Sequence, residues 1–185
     1  MDLDTLMTAR LALHPLTIAE AAVVKAGDPR DPPHGARWAP GYPDDGDRAG
    51  ARRFLAACAS AGGSTQPFGP YEIRRRTDAM AIGGAAFHGG PDVAGQVTVG
   101  YGLISSARGR GYASEALRAL LAFARSQGVL SVKGDADLGN IGSHRVMASA
   151  GMRLVAVDDR LKHYRVDWRG TAPDGGGPPS HSAAR

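Results

Sequence analysis

Apolar and polar positions along the chain alternate in some stretches and recur every three to four residues in others, which separates strands from helices. Residues 9–15, "ARLALHP", alternate and stop at Pro15, which predicts a first strand. Thr17 stands where a hydroxyl caps a helix, and that helix runs to about Lys25. Residues 50–62, "GARRFLAACASAG", predict a second helix closed by glycine. "YEIRRR" and "DAMAIGGAAFHGG" predict a hairpin turning near Thr77-Asp78, and "GQVTVGYGLIS" (95–105) predicts a further strand. A helix from about Gly111 to Gln127 carries Leu117, Leu120, Leu121 and Ala124 on one stripe. The strand "VLSVKGDA", the helix "NIGSHRVMASAG" and the strands "MRLVAV" and "LKHYRVDW" complete the series.

The order is strand, helix, helix, antiparallel strands, then strand–helix–strand–helix–strand–strand. It predicts an α/β (α+β) fold with one crossover region and no repeat. Residues 1–168 read as a single domain, and the tail 169–185, without apolar periodicity, is expected to be disordered. Residues 27–50 are rich in proline and glycine and read as a long loop, which Trp38 and Tyr42 tie to the body.

Composition changes this picture in few places. Hydrophobic residues make up 43% and charged residues 22%, as expected for a chain with a packed core. Glycine, at 26 residues, is well above the usual ~7%, so an isolated glycine motif carries little weight. A net charge of +4 admits anionic partners such as phosphate groups. The basic residues are scattered among acids such as "PDDGD" (43–47), and alternation divides Arg74-Arg75-Arg76 between two strand faces. Cys58 is the single cysteine, which excludes an internal disulfide and reads as an inert core thiol. Six histidines without i, i+4 spacing make no metal site, and His144 reads as a surface histidine. "MDLDTLMTAR" is not a secretory signal and no stretch approaches ~20 apolar residues, so a soluble, cytoplasmic protein without membrane contact is expected.

The chemistry concentrates in "SARGRGYASEA", Ser106 to Ala116, where a strand ends, a short loop follows and an amphipathic helix begins. A helix start offers unpaired N–H groups and partial positive charge, both favourable to a phosphate. Gly109 and Gly111 permit close approach, and Arg108 and Arg110 add charge-assisted hydrogen bonds. Locally, a phosphate cradle, a glycine turn with two solvated arginines and an arginine-glycine patch for nucleic acid all remain open. The patch requires interleaved aromatic residues, and Tyr112 is the only one nearby, so no nucleic-acid partner is expected.

Arg108 to Ala113 resembles the [Q/R]-x-x-G-x-[G/A] signature of the GNAT N-acetyltransferases, with Glu115-Ala116 continuing as in many members. Asn140 to Val146, followed by Gly151, resembles that family's "N-x-x-S-x-R-V … G-F" helix, with Met152 in place of phenylalanine. "GQVTVGYGL" is similar to its "G-x-V-E-x-G-Y-x-L" strand, and "TARLALHPLT" to the opening strand of the RimJ/RimL-type ribosomal-protein branch. The resemblance runs from about Thr8 to Trp168. It implies a mixed, mostly antiparallel sheet flanked by helices and splayed between the family's fourth and fifth strands, with acetyl-CoA as co-substrate in the gap.

Carried over residue by residue, Arg108, Gly109, Arg110, Gly111, Tyr112, Ala113 and Ser114 hold the pyrophosphate. Leu103, Ile104 and Ser105 pair their backbone with the pantetheine arm, Asn140 bonds it from the other side, and Ser143 protonates the departing thiolate. The implied reaction is direct attack of a primary amine on the thioester, the acceptor being a protein or peptide α-amine or a small amine. Thr98 stands where relatives often carry glutamate, and threonine is no base at neutral pH. Glu72, His88 and Asp92, on or beside the neighbouring strands, are the available candidates for the base, though each reads more readily as a surface or turn residue. Trp38, Tyr42, Phe68 and His88 are candidates for the acceptor pocket, and the aromatic 32–43 loop leans toward a small acceptor. The alternative is a catalytically weak or inactive sensor or assembly protein that binds acetyl-CoA or CoA; a homodimer is an open expectation for either.

Overall fold

The computed structural model describes residues 5–28 and 37–168, so the expected tail and residues 29–36 of the long loop lie outside the described residues. Its strands are β1 (Leu6–Met7), β2 (Leu11–Pro15), β3 (Arg37–Trp38), β4 (Pro70–Arg75), β5 (Met80–Phe87), β6 (Gln96–Leu103), β7 (Ser131–Asp137), β8 (Arg153–Val157) and β9 (Leu161–Asp167). The helices are α1 (Ile18–Ala26), α2 (Asp45–Ala61), α3 (Tyr112–Ser126) and α4 (Ile141–Ser149), with one 3₁₀ turn at Ser105–Ala107. Sheet order is β1-β2-β4-β5-β6-β7-β9-β8, with β3 beside β5; only the β3–β5 and β6–β7 pairs are parallel. This is the mixed, mostly antiparallel sheet that the sequence implied.

Register explains how the sheet divides its two faces. Leu13, Ile73, Gly83 and Leu103 are successive cross-strand partners, and so are His14, Glu72, Gly84 and Gly102 one position along. Successive rows face opposite sides. The first belongs to the main core, where Leu117, Leu120, Leu121 and Ala124 of α3 are buried as their stripe predicted. Burial of each such leucine stabilises the fold by roughly 1.5–3 kcal/mol. The second row lies under α1 and α2, which share a smaller core of Leu16, Ala21, Val24, Ala51, Phe54 and Cys58.

Local chemistry sets the helix ends. Thr17 caps α1 in a reciprocal box with Glu20, as its hydroxyl suggested. For α2 the structure corrects the sequence reading: the helix starts at Asp45, not near Gly50. Asp44 accepts the Asp47 N–H at 2.9 Å and Asp47 accepts the Asp44 N–H at 3.0 Å, a capping box that turns "PDDGD" into a helix start. The two-residue strands β1 and β3 carry no periodicity to read. Of the arginine run, Arg74 bonds Glu72, Arg75 bonds Asp78 and Arg76 bonds the Thr8 and Ala9 carbonyls, so all three serve the fold.

Candidate active site

β6 pairs with β7 only over Gln96–Thr98, against Ser131–Lys133. Past Thr98 the two strands part, while β6 stays paired with β5 through Val99–Leu103. Ile104 donates its N–H to Ile82, and the Thr98 carbonyl accepts from His88. Even-numbered residues of β6 therefore turn their backbone to β5, and Val99, Tyr101 and Leu103 turn theirs to the gap. Leu103 O accepts Arg108 Nε at 2.9 Å. The carbonyls of Ile104 and Ser105 accept the N–H groups of Ala107 and Arg108, which curls the chain away from the strand.

The curl delivers the glycine loop to the start of α3. Gly109 (φ +74°) and Gly111 (φ +78°) are both left-handed, a conformation that costs other residues about 1–2 kcal/mol. Thr17, Asp44 and Asn140 cap α1, α2 and α4, whereas α3 begins at Gly111 with no side-chain cap. Its first internal bond is Glu115 N–H to Gly111 O. The N–H groups of Tyr112, Ala113 and Ser114 precede that bond and project from an open helix end, the arrangement that holds a phosphate.

One residue of this region escaped the sequence reading. Arg10, just before β2, bonds Glu115 at 2.6 Å, donates to Arg110 O at 3.0 Å and lies 4.8 Å from the Tyr112 ring centroid. Thr8 adds a 2.6 Å bond to Glu115. Partial burial pushes the Glu115 carboxyl up, but the bonds from Thr8 and Arg10 outweigh it and hold it below the usual range. Arg10 thus fixes the glycine loop to the edge of the sheet. Glu115 carried a motif signal, but nothing in the sequence paired it with Thr8 and Arg10, about a hundred residues away.

Across the gap, Asn140 Oδ1 accepts the Ser143 N–H at 3.0 Å and caps α4. Ser143 is half-buried, and its carbonyl accepts the Tyr101 hydroxyl at 3.1 Å, joining β6 to α4. Burial raises the Tyr101 hydroxyl to about 12, so it stays a donor at neutral pH. Ser149 donates to Ser114 at 2.8 Å and ties α4 to the first turn of α3. His144 is not a surface residue: it is 7% exposed, stacks on Tyr164 and bonds Leu138 O at 3.2 Å.

On the opposite face, between α2 and strands β4 to β6, lies a pocket of about 380 Å³. Tyr42 and His88 line it, whereas Trp38 packs edge-on behind Tyr42 and Phe68 joins Phe87 and Phe123 in the core. Glu72, expected at the surface, is fully buried and bonded by Trp38 Nε1 (3.1 Å), Arg74 Nε (2.5 Å) and the Tyr42 hydroxyl. Asp92 is a turn residue accepting from Ala94 and Gln96. Thr98 sits at the last β6–β7 rung. Asp47, absent from the sequence reading as a site residue, lines the pocket; burial raises its carboxyl to about 7, helped by the Asp44 and Glu72 charges and opposed by the Asp44 N–H. Burial, with the Arg53 charge, lowers His88. Among the described residues no cluster of histidine, cysteine and acidic side chains could hold a metal ion, and no helix is long and apolar enough to cross a membrane.

An acetyltransferase (GNAT) domain model matches residues 10–153, spanning the splayed strands, the glycine loop and α4. The chain belongs to the GNAT acetyltransferase family. It is 28% identical over 101 residues to an uncharacterised N-acetyltransferase, YjdG, of Bacillus subtilis. That match covers 54% of this chain and 60% of the relative, so the chain spans less than two thirds of that relative's length. Solved GNAT structures share the fold. The ribosomal-protein-S5-alanine acetyltransferase of Vibrio fischeri superposes with a TM-score of 0.66 at 14% identity, over 92% of this chain and 100% of its own. RimL, an L7/L12 α-N-protein acetyltransferase in complex with coenzyme A, gives 0.62 at 15%, over 89% and 98%. A GNAT-family protein from Bordetella pertussis gives 0.61 at 24%, over 88% and 99%.

Proposed function

We propose that this GNAT protein transfers the acetyl group of acetyl-CoA to a primary amine seated in the pocket between α2 and β4–β6. The observation that carries the reading is the uncapped N-terminus of α3, with its two left-handed glycines, placed at the end of a strand edge left open by the β6–β7 splay. The loop from Arg108 to Ala113, with the Ser114 N–H, holds the pyrophosphate, and Arg10 keeps that loop in place. The backbone of Tyr101 and Leu103 extends hydrogen bonds to the pantetheine arm, and Asn140 approaches it from α4 through its amide NH₂.

The chemistry follows from what faces the gap. A neutral amine attacks the thioester carbon, a β6 backbone N–H turned to the gap stabilises the oxyanion, and the carbon–sulfur bond breaks. The Ser143 hydroxyl protonates the thiolate. Its carbonyl is fixed by Tyr101 and its N–H by Asn140, so the side chain is left to act. A pocket of about 380 Å³ suits a small amine or a single terminal residue better than a folded protein surface.

The test is thiol release from acetyl-CoA against an amine panel, with acetyl-CoA affinity measured in parallel. Ser143→Ala should lose roughly 100-fold in turnover while binding acetyl-CoA as before. Acetyl-CoA binding without thiol release for any amine would favour a sensor or assembly role.

A further inference from the structure

The acceptor pocket is bounded by glycine on two sides. Its floor is formed by Gly84 and Gly102, which are cross-strand partners, and by Gly100 opposite Ala86. The α2 wall presents Gly46 and Gly50, one turn apart. A Cβ at Gly102 would meet nothing within 4 Å, because it would point into the cavity. One at Gly84 would lie 2.4 Å from Asp47 Oδ1, so that oxygen rests directly on the floor. Asp47 Oδ2 accepts the Asp44 N–H, which fixes the carboxylate in the cap of α2 and leaves Oδ1 over Gly84.

The two ends of the pocket differ in charge. Asp44 and Asp47 stand at one, with Tyr42 and the Glu72–Arg74 pair behind them; Arg53 and His88 stand at the other, and α1 contributes apolar Val24. His88 lies over Gly100, two residues back along β6. An ammonium group is drawn to the acidic end and repelled by Arg53. The acidic end sits on Gly84, the cross-strand partner of Gly102, whose neighbours Tyr101 and Leu103 turn their backbone to the gap.

Resting on the acetyl-transfer reading above, we infer that Asp47 is the general base of this enzyme, and that its pocket takes a slender primary amine that binds as the ammonium ion. One N–H bond of the ammonium breaks and its proton passes to Asp47 Oδ1. The freed lone pair forms the new N–C bond, and the carbon–sulfur bond then breaks. As the carbon–sulfur bond breaks, Ser143 gives its proton to the thiolate and is restored by the second proton that the nitrogen loses as the amide forms, so CoA leaves as the free thiol. The proton on Asp47 goes to solvent. Thr98 in place of a glutamate is then no loss, because the base comes from α2 rather than from β6. The carboxyl level of about 7 suits the task, as a base tuned near the working pH is the most effective.

The experiment compares wild type, Asp47→Asn, His88→Gln and Gly102→Leu with n-alkylamines, tyramine and amino-acid amides from pH 6 to 10, with calorimetric acetyl-CoA affinity as the control. Asparagine keeps an acceptor for the Asp44 N–H, so the cap survives the change. The expected result is a loss of at least about 100-fold in kcat/KM for Asp47→Asn at pH 7, with unchanged acetyl-CoA affinity. That loss should shrink toward pH 10, where a larger share of the amine is neutral without help, and His88→Gln, which alters the far end of the pocket, should lose less than Asp47→Asn at pH 7. Gly102→Leu, which fills the cavity, should raise the amine KM more than about tenfold with acetyl-CoA affinity unaltered, and it reports on the pocket even if Asp47→Asn does not fold. Equal pH profiles for wild type and Asp47→Asn, or a larger loss for His88→Gln, overturn the role of Asp47 and leave acetyl transfer standing. An unchanged KM in Gly102→Leu overturns the pocket. No thiol release by wild type with any amine overturns the acetyl-transfer reading, and this inference with it.

Discussion

Arg10 shows how much of the proposed cofactor cradle rests on a side chain outside its motif. The residue holds Glu115, the Arg110 carbonyl and the Tyr112 ring together, so one charge orders both ends of the glycine loop. Arg10→Ala should weaken acetyl-CoA binding roughly tenfold, about the worth of one or two charge-assisted bonds, and calorimetric titration checks it. Arg10→Lys should recover only part of that loss, because an ammonium cannot form the same fork of bonds. The motif residues themselves were legible, since Gly109 and Gly111 are required by the left-handed backbone there. Arg10, Asp47 and Tyr101 were not, because each acts through a partner that only the fold brings near.

At the scale of elements, the sheet is specified by alternation and by where glycine replaces a side chain. Gly83 belongs to the core row, and a Cβ there would fall 2.2 Å from the Gly102 carbonyl and 2.8 Å from a Leu103 methyl. Gly83→Ala should therefore destabilise the fold by roughly 1–3 kcal/mol. Gly102→Ala, meeting open space one strand away, should be nearly neutral in the same denaturant titration. The contrast separates glycines that pack strands from glycines that empty a pocket. Helix starts were equally local: Thr17 could be read as a cap directly. The "PDDGD" box was hidden because its acids looked like surface charge and Gly46 and Gly50 lie inside the helix.

For the molecule as a whole, Asp47 ties the proposed base to stability. Its carboxyl lies near 3.8 in an unfolded chain and about 7 in the folded one, so the folded state binds more protons between those values. Stability then falls as pH rises from about 4 to 7, by roughly 4 kcal/mol at most, and the penalty is complete above 7. Asp47→Asn should raise Tm at pH 8 by several degrees over wild type, and the two should converge near pH 4 in differential scanning calorimetry. Glu20 runs the other way: burial pushes it up, but bonds from His14 and Thr17 hold it at about 2. Its contribution is present above the unfolded value near 4.5 and is lost as pH falls toward 2. A group kept where ionisation is costly, at the proposed acceptor pocket, fits a common trade of stability for activity.

By itself the sequence determined the order of strands and helices, the buried stripe of α3 and the glycine turn that opens it. These depend on short-range periodicity, on caps, and on glycines whose backbone angles are demanded within a few residues. Tertiary structure decided the pocket between α2 and β4–β6. The pocket exists because Gly84 and Gly102 fall opposite each other in register and α2 lays Gly46, Gly50 and Asp47 over them. Cross-strand register and the docking of a helix set those distances, and no periodicity within a single segment encodes them.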